Sequence, residues 1–299
     1  MIRNEEHYVQ EWLTFHYIQG FEQFIIVLHK CEDETEKRIK ALPFTDKIRI
    51  HKVEGGSSHA QMSAFVWMAE MYGHTTEWML FCDSDEFTFG TDTGDFREIM
   101  ANYEKFGGLF LNWLEYGHNG LQERPQNLCI EAFTKRAAAD SWWHTSGKSI
   151  IKPKELLRPY SPASADAPLG YSFLSPHLFR TAKPTVHTDF TPVSYRHWWR
   201  SEHICHDIAR CNHYRYRSRE DWIAKDQRGN CNDGSVQKGG YDADEWESGG
   251  NWQIPDFSAV RFAAPVRNVL GQAGDKNGDV TFPFLTTCMK NSMSNRKNG

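Results

Sequence analysis

The sequence predicts an α/β protein of the Rossmann-like type, and three observations lead to this prediction. Apolar runs of strand length alternate with segments of helical periodicity as far as Asp83. Residues 24–28 are apolar throughout, as expected of a strand buried on both faces. A second apolar run, residues 78–82, leads into three carboxylates within four positions. Such alternation is typical of right-handed βαβ units, so we expect a mostly parallel central sheet.

Helices are predicted where apolar residues recur at spacings of three and four. In the first part of the chain the predicted helices cover residues 5–18, 33–42, 58–71 and 95–103. Capping-box patterns at Asp33 and Ser58 mark two of the starts, and Gly20 follows the first helix where a C-cap is expected. The predicted strands cover residues 24–28, 47–53, 78–82, 108–113 and 129–135.

The second part of the chain is less regular. Residues 153–192 contain many Pro, Ser and His residues with little periodicity, which predicts mostly loop. A loop of this length in a compact domain is often a lid over a substrate. Order returns over residues 205–215, and Ser218 with Asp221 begins a helix that reaches Lys225.

Composition excludes several classes of protein. The net charge of -5 and the pI near 6.3 give no global basic field, so we expect no nucleic-acid partner. No apolar run approaches the roughly 18 to 20 residues of a membrane span, and the N-terminus shows no signal peptide. The seven cysteines, an odd number, suit reduced thiols better than disulfides. We therefore expect a cytoplasmic protein.

The acidic stretch after residues 78–82 is the strongest candidate for chemistry. Asp83, Asp85 and Glu86 cannot follow an apolar strand into the core. Ligands of open α/β sheets bind at the carboxyl ends of strands, and hard divalent cations take carboxylate and phosphate oxygens as ligands. A metal-bridged phosphate site is therefore one hypothesis. A solvated acidic turn is the commoner explanation for an isolated D-x-D pattern.

Six segments, in the same order along the chain, are similar to those of a known family. They are Arg3-Asn4-Glu5 with the following Glu11, Trp12 and His16, and residues 83–87, 112–117, 130–136, 148–153 and 212–229. Their counterparts in that family have the forms KNE...EW...H, D-x-D-E-F, NWxxFG, IERFTRR, KxIVRP and NHYxxRSxEEFxxKxxRG. The chain thus resembles the bacterial glycosyltransferase-2-like proteins, relatives of the family-92 galactosyltransferases.

The sequence departs from this family at three places. Only Met1 and Ile2 precede Arg3, whereas the resemblance implies an apolar first strand there. Residues 27–33 lack the N-x-S-x-D-G-T turn that is typical of the family. Residues 230–299 have no counterpart that we can place, so we expect a catalytic domain over residues 1–229 and a loop-rich C-terminal extension, packed on it, with a frayed tail.

The resemblance implies a GT-A fold and an inverting, metal-dependent glycosyltransferase. Its donor would be a nucleotide-sugar, UDP-linked by expectation, and its acceptor a hydroxyl of a glycan or glycolipid in surface polysaccharide synthesis. Mn²⁺ or Mg²⁺ would be the cofactor, and peripheral association with a membrane is compatible with such an acceptor. In this family pattern Asp83, Asp85 and His213 are the metal ligands. Residues expected to bind the nucleotide-sugar are Arg3, Asn4, Glu5, Asp83, Lys225 and Arg228.

Inversion calls for one carboxylate that takes a proton from the acceptor hydroxyl. The candidates are Glu131, Glu115 and Asp166, and we favour Glu131 because it lies in a matched segment. Each is equally explained as a structural or surface carboxylate. Acceptor-side candidates, chosen as ring-bearing side chains, are Trp142, Trp143 and His177.

Three alternatives stay open on the sequence alone. A nucleotidyltransferase shares the sheet and the acidic loop but releases pyrophosphate from a nucleoside triphosphate. A sugar-binding module could keep the fold without turnover. A zinc cluster is the third alternative, although the spacing of its candidate ligands fits no established zinc motif. The candidate ligands are His203, Cys205, His206, Cys211 and His213.

Overall fold

The computed structural model describes residues 1–55, 60–92, 94–157, 175–194, 200–229 and 243–272. Within these ranges the chain has mixed α/β structure. The five cysteines in these ranges, Cys31, Cys82, Cys129, Cys205 and Cys211, are free thiols. No helix in the described ranges is long and apolar enough to cross a membrane.

The helices follow the predicted order with shifted ends. They are α1 Val9–Ile18, α2 Thr35–Lys40, α3 Ala60–Tyr72, α4 Phe96–Met100, α5 Cys129–Ala132, α6 Arg219–Arg228, α7 Ala243–Gly249 and α8 Ala263–Gly271. The strands are β1 Phe24–His29, β2 Ile48–Val53, β3 Met79–Leu80, β4 Glu86–Gly90, β5 Gly108–Glu115, β6 Lys135–Arg136, β7 Gly147–Ile151, β8 Thr185–Val186, β9 Ala209–His213 and β10 Ile254–Pro255.

The larger sheet is mixed, which corrects the expectation of a mostly parallel central sheet. Its order is β3-β7-β5-β9-β4, and β8 pairs with β5 beside this path. Among the described residues, three of its pairings are antiparallel (β3 with β7, β5 with β7, β4 with β9) and two are parallel (β5 with β8 and β9). The βαβ alternation ends at the acidic loop, and after it strands follow one another with little intervening helix.

The expected parallel pairing does occur in the first part of the chain. Strands β1 and β2 form a two-stranded parallel sheet connected by α2. Ile2 forms a parallel bridge to Leu28, and its backbone is bonded on both sides, to Val27 O at 2.8 Å and from His29 N at 2.9 Å. The short N-terminal segment is thereby fixed beside the carboxyl end of β1.

The predicted strand over residues 129–135 is wrong for its first part, where the chain forms the short helix α5. The backbone N–H groups of Cys129 and Ile130 donate to the buried carboxylate of Glu11 at 2.7 and 3.1 Å. Glu131 in turn accepts from the Leu128 N–H at 3.3 Å. These two carboxylates satisfy the first N–H groups of a helix, which the apolar pattern of the segment could not reveal.

Aromatic rings form the centre of the core beneath α1. Phe15 contacts Phe87 at 5.1 Å, Phe89 at 5.9 Å and Phe262 at 5.2 Å, all with edge-to-face geometry. Phe262 precedes α8, whose Val266 is fully buried in the same cluster. Residues 259–271 therefore contribute to the same core as the first helix.

Replacing Phe262 with alanine should lower the free energy of unfolding by about 3 kcal/mol, since a buried ring and its packing partners are lost. Phe257→Ala is the matched control, because Phe257 is 63% exposed and should change stability little. Urea unfolding followed by circular dichroism measures both variants. Equal stability of the two variants would show that residues 259–271 are not part of this core.

Candidate functional site

The acidic loop, residues 83–86, joins β3 to β4 and faces side chains from β5, β7, β9, α3 and α6. Strand β3 is only two residues long, and the chain leaves the sheet at Phe81. The backbone N–H of Glu86 donates to the Asp83 carbonyl oxygen at 3.2 Å, which closes the loop into a turn. The Glu86 carboxyl is fully buried, the Asp85 side chain is 13% exposed and the Asp83 side chain is 32% exposed.

Asp83 is held by two side chains. Lys148 of β7, which is fully buried, donates from Nζ to Asp83 Oδ2 at 2.8 Å. Gln61 of α3 donates from Nε2 to Oδ1 at 2.7 Å. Burial alone would raise the pKa of Asp83, but the Lys148 ammonium keeps that pKa below its ordinary value. Asp83 is therefore a charged partner of Lys148 at neutral pH.

Glu86 is fully buried and serves the loop itself. Its carboxyl accepts hydrogen bonds from the Asp83 backbone N–H at 2.7 Å and from Trp113 Nε1 at 2.9 Å. Burial raises the pKa of Glu86 to about 8, even though Lys148 Nζ lies 3.6 Å away and acts to lower it. Protonated Glu86 is therefore favoured at neutral pH. The positive charge of Lys148 then neutralises the negative charge of Asp83.

Asp85, His213 and Glu115 form a buried chain of interacting groups. His213 of β9 donates from Nδ1 to Glu115 Oε1 at 2.6 Å, and its Nε2 lies 3.6 Å from Asp85 Oδ1. Burial would lower the pKa of His213, but the Glu115 and Asp85 carboxylates raise it to about 10. Burial acts to raise the pKa of Asp85, yet Lys225 and His213 hold it well below its usual range. The imidazole is thus fixed between two carboxylates.

The donor atoms of this chain would fit a divalent cation that displaces the proton from His213 Nε2. Bonds of about 2.0–2.2 Å place two neighbouring ligand atoms roughly 3.0–3.6 Å apart, and Asp85 Oδ1 and His213 Nε2 are separated by 3.6 Å. Glu115 binds the other ring nitrogen, which is how carboxylates orient metal-binding histidines. Asp83 is turned to Lys148, so Asp85 and His213 would be the better pair of ligands if a cation binds here.

Two arginines bind the N-terminal segment: Arg217, which is buried and also contacts the acidic loop, and Arg228, which is partly exposed. Arg217 donates to Glu5 Oε2 at 2.8 Å and to the Ser84 carbonyl oxygen at 3.0 Å. Arg228, near the end of α6, donates to Glu5 Oε1 and to the Arg3 carbonyl oxygen, both at 2.5 Å. Burial acts to raise the pKa of Glu5, but the two guanidinium groups lower it overall. Glu5 is therefore a structural clamp for this segment.

A charged cleft of about 350 Å³ adjoins the loop. Its lining includes Asn4, Glu5, Asp33, Arg217, Lys225 and Arg228. Lys225 forms the boundary between cleft and loop, because its Nζ donates to Asp85 Oδ2 at 2.8 Å. Of the residues predicted to bind a nucleotide-sugar, the structure brings Asn4, Glu5, Lys225 and Arg228 together here.

The other two residues predicted to bind a nucleotide-sugar are Arg3 and Asp83. The Arg3 carbonyl oxygen accepts from Arg228, so its backbone is close to the cleft, while two of its guanidinium nitrogens are buried. Asp83 is bonded to Lys148 and not to the cleft-lining residues described above.

A larger cleft of about 510 Å³ is lined by residues of β1 and β3 and by Cys82. Its lining includes none of the three carboxylates of the acidic loop, and we assign no chemistry to it.

The predicted base candidates are placed differently. Glu131 binds Arg267 of α8, with Oε1 accepting at 2.7 Å, and shares no described contact with the acidic loop. This placement does not support our preference for Glu131. Glu115 is 2% exposed and accepts a hydrogen bond from His213. This placement suits a carboxylate that orients the imidazole better than one that takes a proton from an acceptor hydroxyl. Asp166 lies outside the described residues.

The acceptor-side candidates separate into two groups. Trp142 and Trp143 stack on each other at 4.1 Å, and the Arg215 guanidinium lies 5.8 Å from the Trp143 ring. His177 is beside the loop, with its ring 5.1 Å from Trp113 and its Nδ1 donating to the Gly147 carbonyl oxygen at 2.9 Å. Burial and the neighbouring Lys148 lower the pKa of His177 to about 3, so it is neutral.

Sequence reasoning missed the buried cations of the site. Lys148 opens one of the matched segments, yet a lysine in a strand is ordinarily an exposed residue. Arg217 precedes the capping serine of α6 and has a left-handed backbone conformation with φ of 47°. One indication in the sequence was the set of three carboxylates that follows an apolar run. Carboxylates near a core need cations close by, but the sequence does not show which cations these are.

Fold and site together define a mixed α/β protein with a buried acidic centre that fits a cation, beside a charged cleft of ligand size. The model of glycosyltransferase family 92 matches residues 1–159, more than half of the chain. The chain therefore belongs to glycosyltransferase family 92. The resemblance of its six segments also indicated a relationship to this family.

Two curated relatives extend this finding. A glycosyltransferase family 92 protein of Oryza sativa subsp. japonica is 23% identical over 159 residues, which are 52% of this chain and 26% of the relative. A glycosyltransferase family 92 protein of Ricinus communis is 27% identical over 161 residues, which are 52% of this chain and 28% of the relative. The match thus spans little more than a quarter of the length of these relatives.

Lys148→Met should lower the free energy of unfolding by about 2 kcal/mol, because it leaves the half-buried Asp83 without its cation. Lys154→Met is the matched control, since the Lys154 side chain is 63% exposed. Urea unfolding at pH 7 measures both. A Lys148 variant as stable as the control would mean that Asp83 does not depend on this ion pair.

Proposed function

We propose that this chain is the donor-binding and catalytic part of a metal-dependent, inverting glycosyltransferase with a GT-A fold. It would transfer a sugar from a nucleotide-sugar, UDP-linked by the resemblance, to a hydroxyl of a glycan or glycolipid. The observation that carries the proposal is the separation of Asp85 Oδ1 and His213 Nε2, 3.6 Å, next to a cleft bordered by Lys225. Membership of glycosyltransferase family 92 supports the reaction class.

The cleft has the size and charge for the donor. Its volume of about 350 Å³ falls within the range of roughly 300–1,000 Å³ that is usual for small-molecule sites. Lys225 and Arg228 in its lining carry positive charge, which suits the oxygens of a diphosphate, although Arg228 is already paired with Glu5. Asn4 and Asp33 add polar groups to which a ribose and a base could bind.

Each residue of the acidic centre then has a role. Asp85 and His213 would hold Mn²⁺ or Mg²⁺, and a cation bound there would neutralise charge on the departing diphosphate. Glu115 keeps the His213 ring in place through Nδ1. Lys225 binds Asp85 and also lines the cleft, so it could exchange Asp85 for a donor phosphate. Asp83 and Lys148 fix the loop backbone from the opposite side.

The proposal extends to the cellular setting, which the resemblance alone suggests. We place the reaction at the cytoplasmic face of a membrane, with the chain in peripheral contact and the acceptor in surface polysaccharide synthesis. The neutral, buried His177 beside Trp113 and the stacked pair Trp142 and Trp143 remain acceptor-side candidates.

Asp85→Asn should reduce Mn²⁺-dependent hydrolysis of a UDP-sugar and transfer from it by at least about 100-fold, because a charged metal ligand is lost. Asp140→Asn, at an exposed position, is the matched control and should keep full activity. Release of UDP, coupled to an optical assay, measures both variants. Circular dichroism checks that Asp85→Asn retains its fold.

Three results would contradict this proposal. Full activity of Asp85→Asn, or of the parent protein in excess chelator, would remove the metal-dependent mechanism. Release of pyrophosphate from a nucleoside triphosphate would indicate a nucleotidyltransferase. Binding of sugars in calorimetry with no effect of Mn²⁺ or UDP would indicate a sugar-binding module without turnover.

A further inference from the structure

A second cluster of metal-ligating side chains lies outside the acidic centre. Asp189 follows β8, while His203 and Cys205 lie in the segment that precedes β9. One ligand atom of each residue lies within 4.8 Å of the corresponding atoms of the other two. Of the five residues that the sequence offered as a zinc cluster, only His203 and Cys205 belong to it.

The other members of that sequence set are engaged elsewhere. His206 Nε2 donates to the Trp113 carbonyl oxygen at 2.9 Å, and Cys211 is buried within β9. His213 belongs to the acidic centre. Asp189, which the sequence did not single out, takes their place, because its Oδ2 lies 2.7 Å from His203 Nε2.

The geometry of the cluster is close to that of a tetrahedral zinc site. Zinc bonds of about 2.3 Å to sulfur and 2.0–2.2 Å to nitrogen and oxygen place ligand atoms roughly 3.3–3.7 Å apart. His203 Nε2 and Asp189 Oδ2 are 2.7 Å apart, and a widening of less than about 1 Å brings them to this separation. Since both side chains are more than a third exposed, they can make this adjustment without moving the core.

The Asp207 carboxylate is the candidate for the fourth position, although it lies outside the group of three whose ligand atoms are all within 4.8 Å of one another. Its Oδ2 accepts from the Cys205 thiol at 3.8 Å, close to the separation of two ligands of one zinc ion. Thr91 Oγ1 donates to the Asp207 carbonyl oxygen at 2.5 Å and anchors this backbone to the end of β4.

Neighbouring groups already orient the ligands. Thr188 Oγ1 donates to Cys205 Sγ at 2.9 Å, a bond that would stabilise a thiolate. The Thr191 backbone N–H donates to Asp189 Oδ1 at 3.0 Å and leaves Oδ2 for His203. The Cys205 backbone N–H donates to Asn112 Oδ1 at 3.2 Å. Such outer contacts are characteristic of zinc sites, where they fix the direction of each ligand.

We propose that Asp189, His203 and Cys205 bind one structural zinc ion, separate from the acidic centre, with the neighbouring Asp207 carboxylate as the candidate for the fourth position. The ion links the segment after β8 to the segment before β9. Both segments bond to Asn112 of β5, which also accepts from His187 Nδ1 at 3.0 Å. A zinc ion here would stabilise the strand order around β5 and β9, and so the position of His213.

Cobalt substitution tests this proposal, because Co²⁺ bound to a thiolate has a sulfur-to-metal absorption band in the near ultraviolet. The full chain, stripped with chelator, should bind one equivalent of Co²⁺ with this band, and zinc should displace it. Asp189→Asn and His203→Gln, at exposed positions that tolerate change, should weaken Co²⁺ binding at least about tenfold. Zinc should raise the Tm of the parent by about 3–5 °C and that of Asp189→Asn less.

Cys205→Ser should abolish the absorption band, whereas Cys31→Ser, the control for loss of another thiol, should keep it. Asp85→Asn should keep it as well and lose only Mn²⁺ binding, so failure of this site and failure of the acidic centre are distinguishable. Absence of a stoichiometric band in the parent, or its persistence in Cys205→Ser, overturns the proposal. If Cys205→Ser does not fold, unchanged Co²⁺ affinity in Asp189→Asn and His203→Gln overturns it equally.

Discussion

The structure depends on the neutralisation of the carboxylates of the acidic loop, which follows the apolar strand β3. A buried charge is costly unless an opposite charge and hydrogen bonds accompany it. Asp83 is balanced by Lys148 from β7, and Asp85 by Lys225 from α6 and His213 from β9. Glu86 remains neutral instead. Each charged group thus requires a partner from a different part of the chain, and these pairings fix how the elements meet.

Strand register explains why His213 lies where it does. In the antiparallel pair of β4 and β9, Glu86 is opposite His213, and in the parallel pair of β5 and β9, Glu115 is opposite His213. A shift of β9 by one residue would turn the imidazole to the other face of the sheet. The mixed sheet is therefore the reason that a histidine far along the chain completes a centre that begins at Asp83.

Local features of the fold were predictable from sequence, and distant pairings were not. The periodicity of α1, the apolar run of β1 and the capping box of α6 depend on neighbouring residues, and each appears in the structure with small shifts of its ends. The strand order depends on contacts between segments that are far apart along the chain, for which one sequence has no direct signal. The same reason explains the failure to foresee Lys148 beside Asp83 and the pairing of Glu131 with Arg267. Asp189 is nearer to His203 along the chain, but no periodic pattern connects the two.

The central claim is that Asp85 and His213 are ligands of one cation, and that Lys225 exchanges Asp85 for a donor phosphate. Anomalous diffraction from crystals grown with Mn²⁺ and UDP tests it most directly. The account predicts a manganese peak between Asp85 and His213 Nε2, with Lys225 Nζ bonded to a phosphate oxygen. A manganese peak elsewhere, or an Asp85 still bonded to Lys225 with UDP bound and no metal beside it, would contradict the account.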